Sequence, residues 1–157
     1  MIENFNDNFR ELCLNLKIDE RKFILGLSGG IDSMALLSLL KRFIVSNKSL
    51  KIEVFPVIID HDLRSNSSNE AKAVQDIAIS HGFKTIIKKI IIKKPSGNIQ
   101  NWARKERRRI LCDVAFEFSA NLILGHHVDD LVETIFMRSV KGSGIEGLRG
   151  MQDRMIW

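Results

Sequence analysis

Residues 28–33 read Ser28-Gly29-Gly30-Ile31-Asp32-Ser33 and stand between two apolar runs; this junction constrains the chain more than any other stretch. Upstream, Phe23-Ile24-Leu25-Gly26-Leu27 reads as a buried strand; downstream, the apolar pattern of residues 34–45 reads as a helix that begins near Ile31. A strand that turns through two glycines onto a helix N-terminus makes a place for an anion. The glycines let the backbone approach a ligand with no Cβ in the way. The first helical N–H groups lack intrahelical partners and lie at the positive end of the helix dipole. Phosphate is the usual occupant. Ser28 and Ser33 add hydroxyls, and the Asp32 carboxylate beside a polyphosphate makes chemical sense as a magnesium ligand. Two common phosphate loops are excluded: no Gly-Lys-Ser/Thr follows at the required spacing, and Gly29 and Gly30 are adjacent rather than set out as G-x-G-x-x-G.

The strand-then-helix pattern repeats downstream. Residues 52–59 form a near-continuous apolar run that suits a strand buried on both faces. Ser67-Ser68-Asn69-Glu70 reads as a capping box opening a helix to about His81, with Ala71, Val74, Ile77, Ala78 and His81 on one face and Gly82 ending it. A third strand is expected at 85–92, a turn at Pro95-Ser96-Gly97, a long helix over 101–118 and a short strand at 121–124. Residues 125–130 then turn onto another helix ending near Val140, followed by a glycine-rich tail over 142–150. Residues 1–16 read as a leading helix outside the sheet. Such alternation predicts right-handed crossovers and an α/β fold, a Rossmann-like parallel sheet with helices on both faces. Ligands of such sheets bind at the carboxyl ends of the strands, where every polar cluster of this chain falls.

The 157 residues are one domain's worth, and 45% apolar with 27% charged residues is ordinary for a soluble globular chain. The net charge of +5 suits a nucleic-acid partner and suits an ordinary basic enzyme equally well. Cys13 and Cys112 form no C-x-x-C pair, so no zinc or iron–sulfur spacing is present. Neither a signal-peptide pattern nor an apolar run of membrane-spanning length is seen, and a reducing cytoplasm is the expected compartment.

A second cluster, His126-His127-Val128-Asp129-Asp130-Leu131-Val132-Glu133, follows the fourth strand. Asp130 and Glu133 share a helix face at i,i+3. Acidic residues in a first turn complement the helix dipole, which is one reading. The other is a cation site, for magnesium, a substrate ammonium or both, because two histidines and three carboxylates in eight residues exceed what capping needs. Beyond it, Lys141-Gly142-Ser143-Gly144 and Gly147-Leu148 read either as an anion-contacting loop or as a plain helix exit.

The first loop resembles the pyrophosphate loop of the PP-loop ATP pyrophosphatase superfamily. Together, His126-His127-x-Asp129-Asp130-x-x-Glu133-Thr134 and Lys141-Gly142-Ser143-Gly144-x-x-Gly147-Leu148 resemble the N-terminal catalytic domain of the tRNA(Ile)-lysidine synthetase family. Asp60-His61-Asp62-Leu63-Arg64, with Ser67 and Glu70-Ala71 behind it, is similar to that family's segment after the second strand. Gly97-Asn98-Ile99-Gln100 with Ala103, Arg104 and Arg107 is similar to its basic helix. Departures are Asp62 for a glycine, Gln100 for a glutamate, Leu131 for a glutamine and Lys141 for an arginine.

The resemblance, which runs from about Phe23 to Met151, implies an adenine nucleotide alpha hydrolase-like domain over 21–157 after a leading helix in 1–20, continuing in relatives into tRNA-binding domains. It implies a ligase that joins L-lysine to C2 of the wobble cytidine of tRNA(Ile) with a CAU anticodon, using ATP and Mg2+. By this reading residues Ser28, Gly29, Gly30, Ile31, Asp32 and Ser33 hold ATP phosphates, Asp32 carries the metal, and His61 lies at the adenosine pocket. Asp130 and Glu133 hold the lysine ammonium or a second cation, and His126 or His127 orients the nucleotide or acts as base. Arg104 and Arg107 steady phosphate charge; their alternative is a solvated basic face, since Lys105, Arg108 and Arg109 are basic too. Competing readings are a tRNA-thiolation enzyme, an amidating synthetase, or a non-catalytic nucleotide-binding protein. The oligomeric state is left open, a homodimer included.

Overall fold

The structure, a computed structural model, describes residues 2–61, 66–91, 95 and 97–125, with side chains from Phe5 onward. Its elements in order are α1 (Ile2–Asn15), β1 (Lys22–Leu27), α2 (Ile31–Ser46), β2 (Glu53–Asp60), α3 (Ser67–Ser80), β3 (Ile86–Lys89), α4 (Ile99–Glu117) and β4 (Asn121–Leu124). The four strands form one parallel sheet in the order β3-β2-β1-β4. The chain therefore steps outward from β1 to β3, then crosses back to lay β4 on the other side of β1. In sheets of this strand order, ligands bind outside the carboxyl ends of the strands.

The pleat sorts β1 and β2 between two cores. Phe23, Leu25 and Leu27 of β1, with Val54 and Ile58 of β2, face Leu37, Leu40 and Phe43 of α2 and Ala71 and Ala78 of α3. Ile24, Val57 and Ile59 face the opposite way, against Leu111, Val114 and Ala115 of α4. Successive residues of a strand point to opposite faces, so a run apolar throughout must be covered on both. That is why residues 23–27 carry no polar side chain.

The observed β3 is half the length expected. Its pairing with β2 begins at Val57, the residue after Pro56, which has no N–H to give to a ladder, and ends with Asp60 opposite Lys89. The capping box expected at Ser67 is not formed: Asn66 is the N-cap of α3 without a side-chain cap bond, and its Oδ1 instead accepts from Asn69 Nδ2 at 2.8 Å. Ile77 is exposed rather than on the buried face. α4 begins two residues early, after Asn98 turns through a left-handed conformation (φ 50°).

The leading helix is outside the sheet but inside the core. Cys13 is wholly buried, and Phe9 lies 5.3 Å from the Phe23 ring and 5.0 Å from the Phe43 ring. Arg21 ties the helix exit down, donating to the carbonyls of Leu16 and Leu50. Phe9→Ala is expected to lower the unfolding free energy by about 3–5 kcal/mol in urea denaturation, the range for an aromatic deleted from a core. A loss below about 1 kcal/mol, the level of a surface change, would show that α1 is not part of the cooperative core.

Candidate functional site

The turn after β1 is held from within by one hydroxyl. Ser33, only 4% exposed, donates to the Gly30 carbonyl at 2.9 Å and accepts the Ser28 N–H at 3.3 Å. Ser28 Oγ lies 3.1 Å from Ser33 Oγ and accepts the Gly30 N–H at 3.4 Å. The hydroxyl proton of Ser33 is thus used inside the loop, and Ser28 supplies the exposed hydroxyl. Gly29 has φ +79°, a conformation that L side chains rarely adopt. Gly30 is the extended N-cap of α2 and makes no side-chain cap bond, so no cap side chain covers the first N–H groups of that helix. Ile31 and Asp32 are exposed in its first turn. Gly125, just past β4, approaches the same turn so closely that a Cβ there would lie 3.0 Å from the Ser33 backbone N.

Beside this loop, at the carboxyl ends of β1 and β2, is a cleft of about 250 Å3. Leu27 and Ser28 border it, with Ile58, Ile59, Asp60 and His61 from β2 and its exit. One face of α3 (Ser67, Glu70, Ala71, Val74) and Arg107 of α4 complete the wall. The two helices pack on opposite faces of the sheet, and both reach this cleft beyond the strand ends. Asp60 is 4% exposed and accepts the Ser68 hydroxyl at 2.6 Å. His61 Nδ1 and Ser67 Oγ are buried in the wall and find no hydrogen-bond partner among the described residues. Buried polar atoms are nearly always partnered, so two orphans in one cleft wall mark where a ligand's polar groups would fit.

Burial pushes the His61 imidazole below its ordinary value; the Arg107 guanidinium adds to the shift, and Asp60 opposes it. The ring is therefore neutral at neutral pH, with one nitrogen donating and one accepting. Burial, and next the neighbouring Arg104, also lower Arg107. A guanidinium stays protonated in proteins, so Arg107 is a partly desolvated cation at the cleft. It makes no ion pair with a carboxylate among the described residues. Arg104, one turn earlier, is exposed and outside the lining, as are Lys105 and Arg108. Arg109 is engaged by Glu106 and Asp113, both at 2.9 Å. Of five basic residues on α4, Arg107 alone lines the cleft.

The structure thus brings together Ser28, His61 and Arg107, with Gly29, Gly30, Ile31, Asp32 and Ser33 at the adjoining turn. His126, His127, Asp130 and Glu133 lie outside the described residues, as does the Gly-Ser-Gly segment at 142–144. Asp60, Ser67 and Val74 also line the cleft; the sequence places the first two in a family-like segment and Val74 on a helix face, with no site role for any of them. The signal for Asp60 was available, a carboxylate closing an otherwise apolar strand; Ser67 was hidden by its plausibility as a cap. Among the described residues no group of three or more His, Cys, Asp or Glu stands together as a metal cage, and no helix is long and apolar enough to cross a membrane.

A family profile described as a PP-loop domain, of an ATP-binding family, matches residues 1–156. The chain is 40% identical to a tRNA(Ile)-lysidine synthase of Orientia tsutsugamushi (strain Boryong) over 81% of this chain and 28% of the relative. It is 31% identical to that of Thermosipho africanus (strain TCF52B) over 98% of this chain and 36% of the relative. A Streptococcus sanguinis (strain SK36) synthase is 40% identical over 85% and 30%. The chain spans about a third of the length of these curated relatives. Among solved structures, the U34-tRNA thiolase NcsA from Methanococcus maripaludis aligns with a TM-score of 0.67 at 22% identity, covering 80% of this chain and 44% of that one, a likeness of fold.

The electrostatics of the cleft are open to direct measurement. In a histidine NMR titration, His61 is expected to titrate below the ordinary imidazole value of about 6.5, and Arg107→Gln to move it upward. Because the folded value is depressed, the neutral ring's contribution to stability is present above the unfolded value and is lost as pH falls toward the folded one. An Arg107→Gln variant with an unmoved or lowered His61 would remove Arg107 from its surroundings.

Proposed function

The chain belongs to the PP-loop domain family, and on that premise we propose that it is the ATP-activating part of a cytoplasmic tRNA(Ile)-lysidine synthase. The observation that carries the ATP half is the junction of a hydroxyl-stapled Ser-Gly-Gly turn at the start of α2 with a cleft holding two orphaned polar atoms and Arg107. The acceptor half rests on the similarity to the named synthases over four-fifths or more of this chain.

The phosphates lie against the first N–H groups of α2 and the Ser28 hydroxyl, and the nucleoside enters the cleft, where His61 and Ser67 gain partners. Asp32 would hold Mg2+, which would neutralise polyphosphate charge. An exposed carboxylate that belongs to no metal cage among the described residues fits an ion that keeps waters and is usually held through one or two carboxylates plus substrate phosphates. Arg107 offsets anionic charge from the α4 side. Its guanidinium is held by burial and can present two parallel donors. Arg104, exposed on the same helix, meets tRNA phosphates instead.

In the reaction, the 2-oxo oxygen of the wobble cytidine bonds to the α-phosphorus of ATP and pyrophosphate leaves. The ε-amine of lysine then bonds to C2, and AMP leaves with that oxygen. The amine must shed a proton to attack, since free lysine has a pKa near about 10.4. The carboxylates and histidines of the 126–133 segment are the groups for this task, Asp130 and Glu133 holding the ammonium and His126 or His127 taking the proton or orienting the nucleotide. Sulfur transfer lacks a nucleophile at the described site: Cys13 is sealed in the α1 core, and Cys112 is not part of the cleft wall.

The test is AMP formation from ATP by the chain with tRNA(Ile) bearing a CAU anticodon, with and without lysine. AMP is expected only when both acceptors are present. Asp32→Ala is expected to lower the rate by roughly a hundredfold or more, through loss of the metal ligand. Arg104→Ala is expected to leave the ATP requirement unchanged and reduce the salt dependence of tRNA binding by about one counterion. AMP formed with sulfide or ammonia and indifferent to lysine would overturn this function.

A further inference from the structure

Ser67, Glu70, Ala71 and Val74 of α3 stand at i, i+3, i+4 and i+7, so one helix face lines the cleft over two turns. The last of these residues also meets the phosphate turn. A Cβ built on Gly29 would lie 2.7 Å from Val74 Cγ2, a distance that real Cβ atoms essentially never show. Gly29 is therefore seated directly against a branched methyl of α3, in its φ +79° conformation. The Ser33 hydroxyl holds the turn from its inner side, bonding Gly30 and Ser28, but reaches no atom of Gly29 in those bonds. Val74 itself is anchored, half-buried and packed against the core that contains Ala71 and Ala78.

We infer that Val74 is a positioning residue for the phosphate turn: its Cγ2 methyl is the stop against which Gly29 rests, and it sets where the N–H groups at the start of α2 point. β-branched side chains have restricted rotamers, which makes valine a firm stop where alanine would leave a gap and leucine would be mobile. The same rigid helix carries Ser67 at one end of the cleft wall and this stop at the other. A group that seats against Ser67 is thereby tied to the geometry at Gly29. The inference rests on the reading of residues 28–33 as a phosphate turn, and it adds a residue that contributes no polar atom.

Two measurements on the full chain separate this role from a simple wall contact. The first needs no ligand. Gly29→Ala and Val74→Ala each lower the thermal midpoint, and the double variant is expected to lose clearly less than the sum, because removing the methyl relieves the clash that the new Cβ creates. Additive losses would overturn the stop contact. The second uses calorimetry with inorganic pyrophosphate and Mg2+ as one probe and adenosine as the other. Val74→Ala is expected to weaken pyrophosphate about five- to tenfold, the scale of coupling between residues in contact. Weaker adenosine binding with pyrophosphate unchanged would make Val74 a wall residue only and overturn the inference. Failure of the unsubstituted chain to bind pyrophosphate would instead overturn the phosphate reading of the turn, with the stop contact still decided by the midpoints.

Discussion

β1 is paired along both edges, to β2 from Lys22 to Leu27 and to β4 from Phe23 to Gly26, and its residues from Phe23 onward are buried. The site depends on that confinement. A strand bonded on two sides cannot slip or tilt without breaking both ladders, so the point where Leu27 gives way to Ser28 is held firmly. The turn that follows then needs few bonds of its own. One buried hydroxyl, that of Ser33, closes it, and the backbone of Gly125 comes in from the neighbouring strand at a distance that leaves no room for a side chain. Replacing a free loop with one so confined keeps the helix N–H groups aimed before any anion arrives, the general value of preorganisation in binding.

The cleft beside the turn has a different character. Its wall mixes apolar side chains with a neutral imidazole, a partly desolvated guanidinium and a buried carboxylate whose Oδ2 is already engaged by Ser68. Burial opposes charge on both His61 and Arg107, but with different results. The histidine, whose ordinary value is close to neutral pH, gives up its proton; the arginine retains it. The wall then carries one cation, Arg107, and two carboxylates, Asp60 and Glu70, beside a neutral imidazole and the Ser28 and Ser67 hydroxyls.

Residues 28–33 were legible as a tight turn from a buried strand onto a helix N-terminus because each requirement is local: a buried strand before, a helix after, glycines between. The strand at 121–124 and the helix starting at Ile31 were legible for similar reasons. Three features were not. The cap at Ser67 failed because Asn66 also satisfies an N-cap position, and the choice between them depends on where the cleft lies. The length of β3 was set by Pro56 on another strand and by the end of β2. Which arginine of α4 lines the cleft depended on which of them reaches past the carboxyl ends of the strands, and helix periodicity does not specify where those ends lie.

By itself, then, the order of residues determined the alternation of strands and helices, the two-sided burial of β1 and the glycine turn onto a helix N-terminus at residues 28–33, since these follow from side-chain period and backbone conformational limits over a few positions. The fold alone decided that Arg107 rather than Arg104 joins His61, that Ser33 closes the turn from inside, and that Val74, more than forty residues downstream, rests against Gly29. Those neighbours are brought together by strand order and register, which place distant segments side by side, and no short-range pattern encodes them.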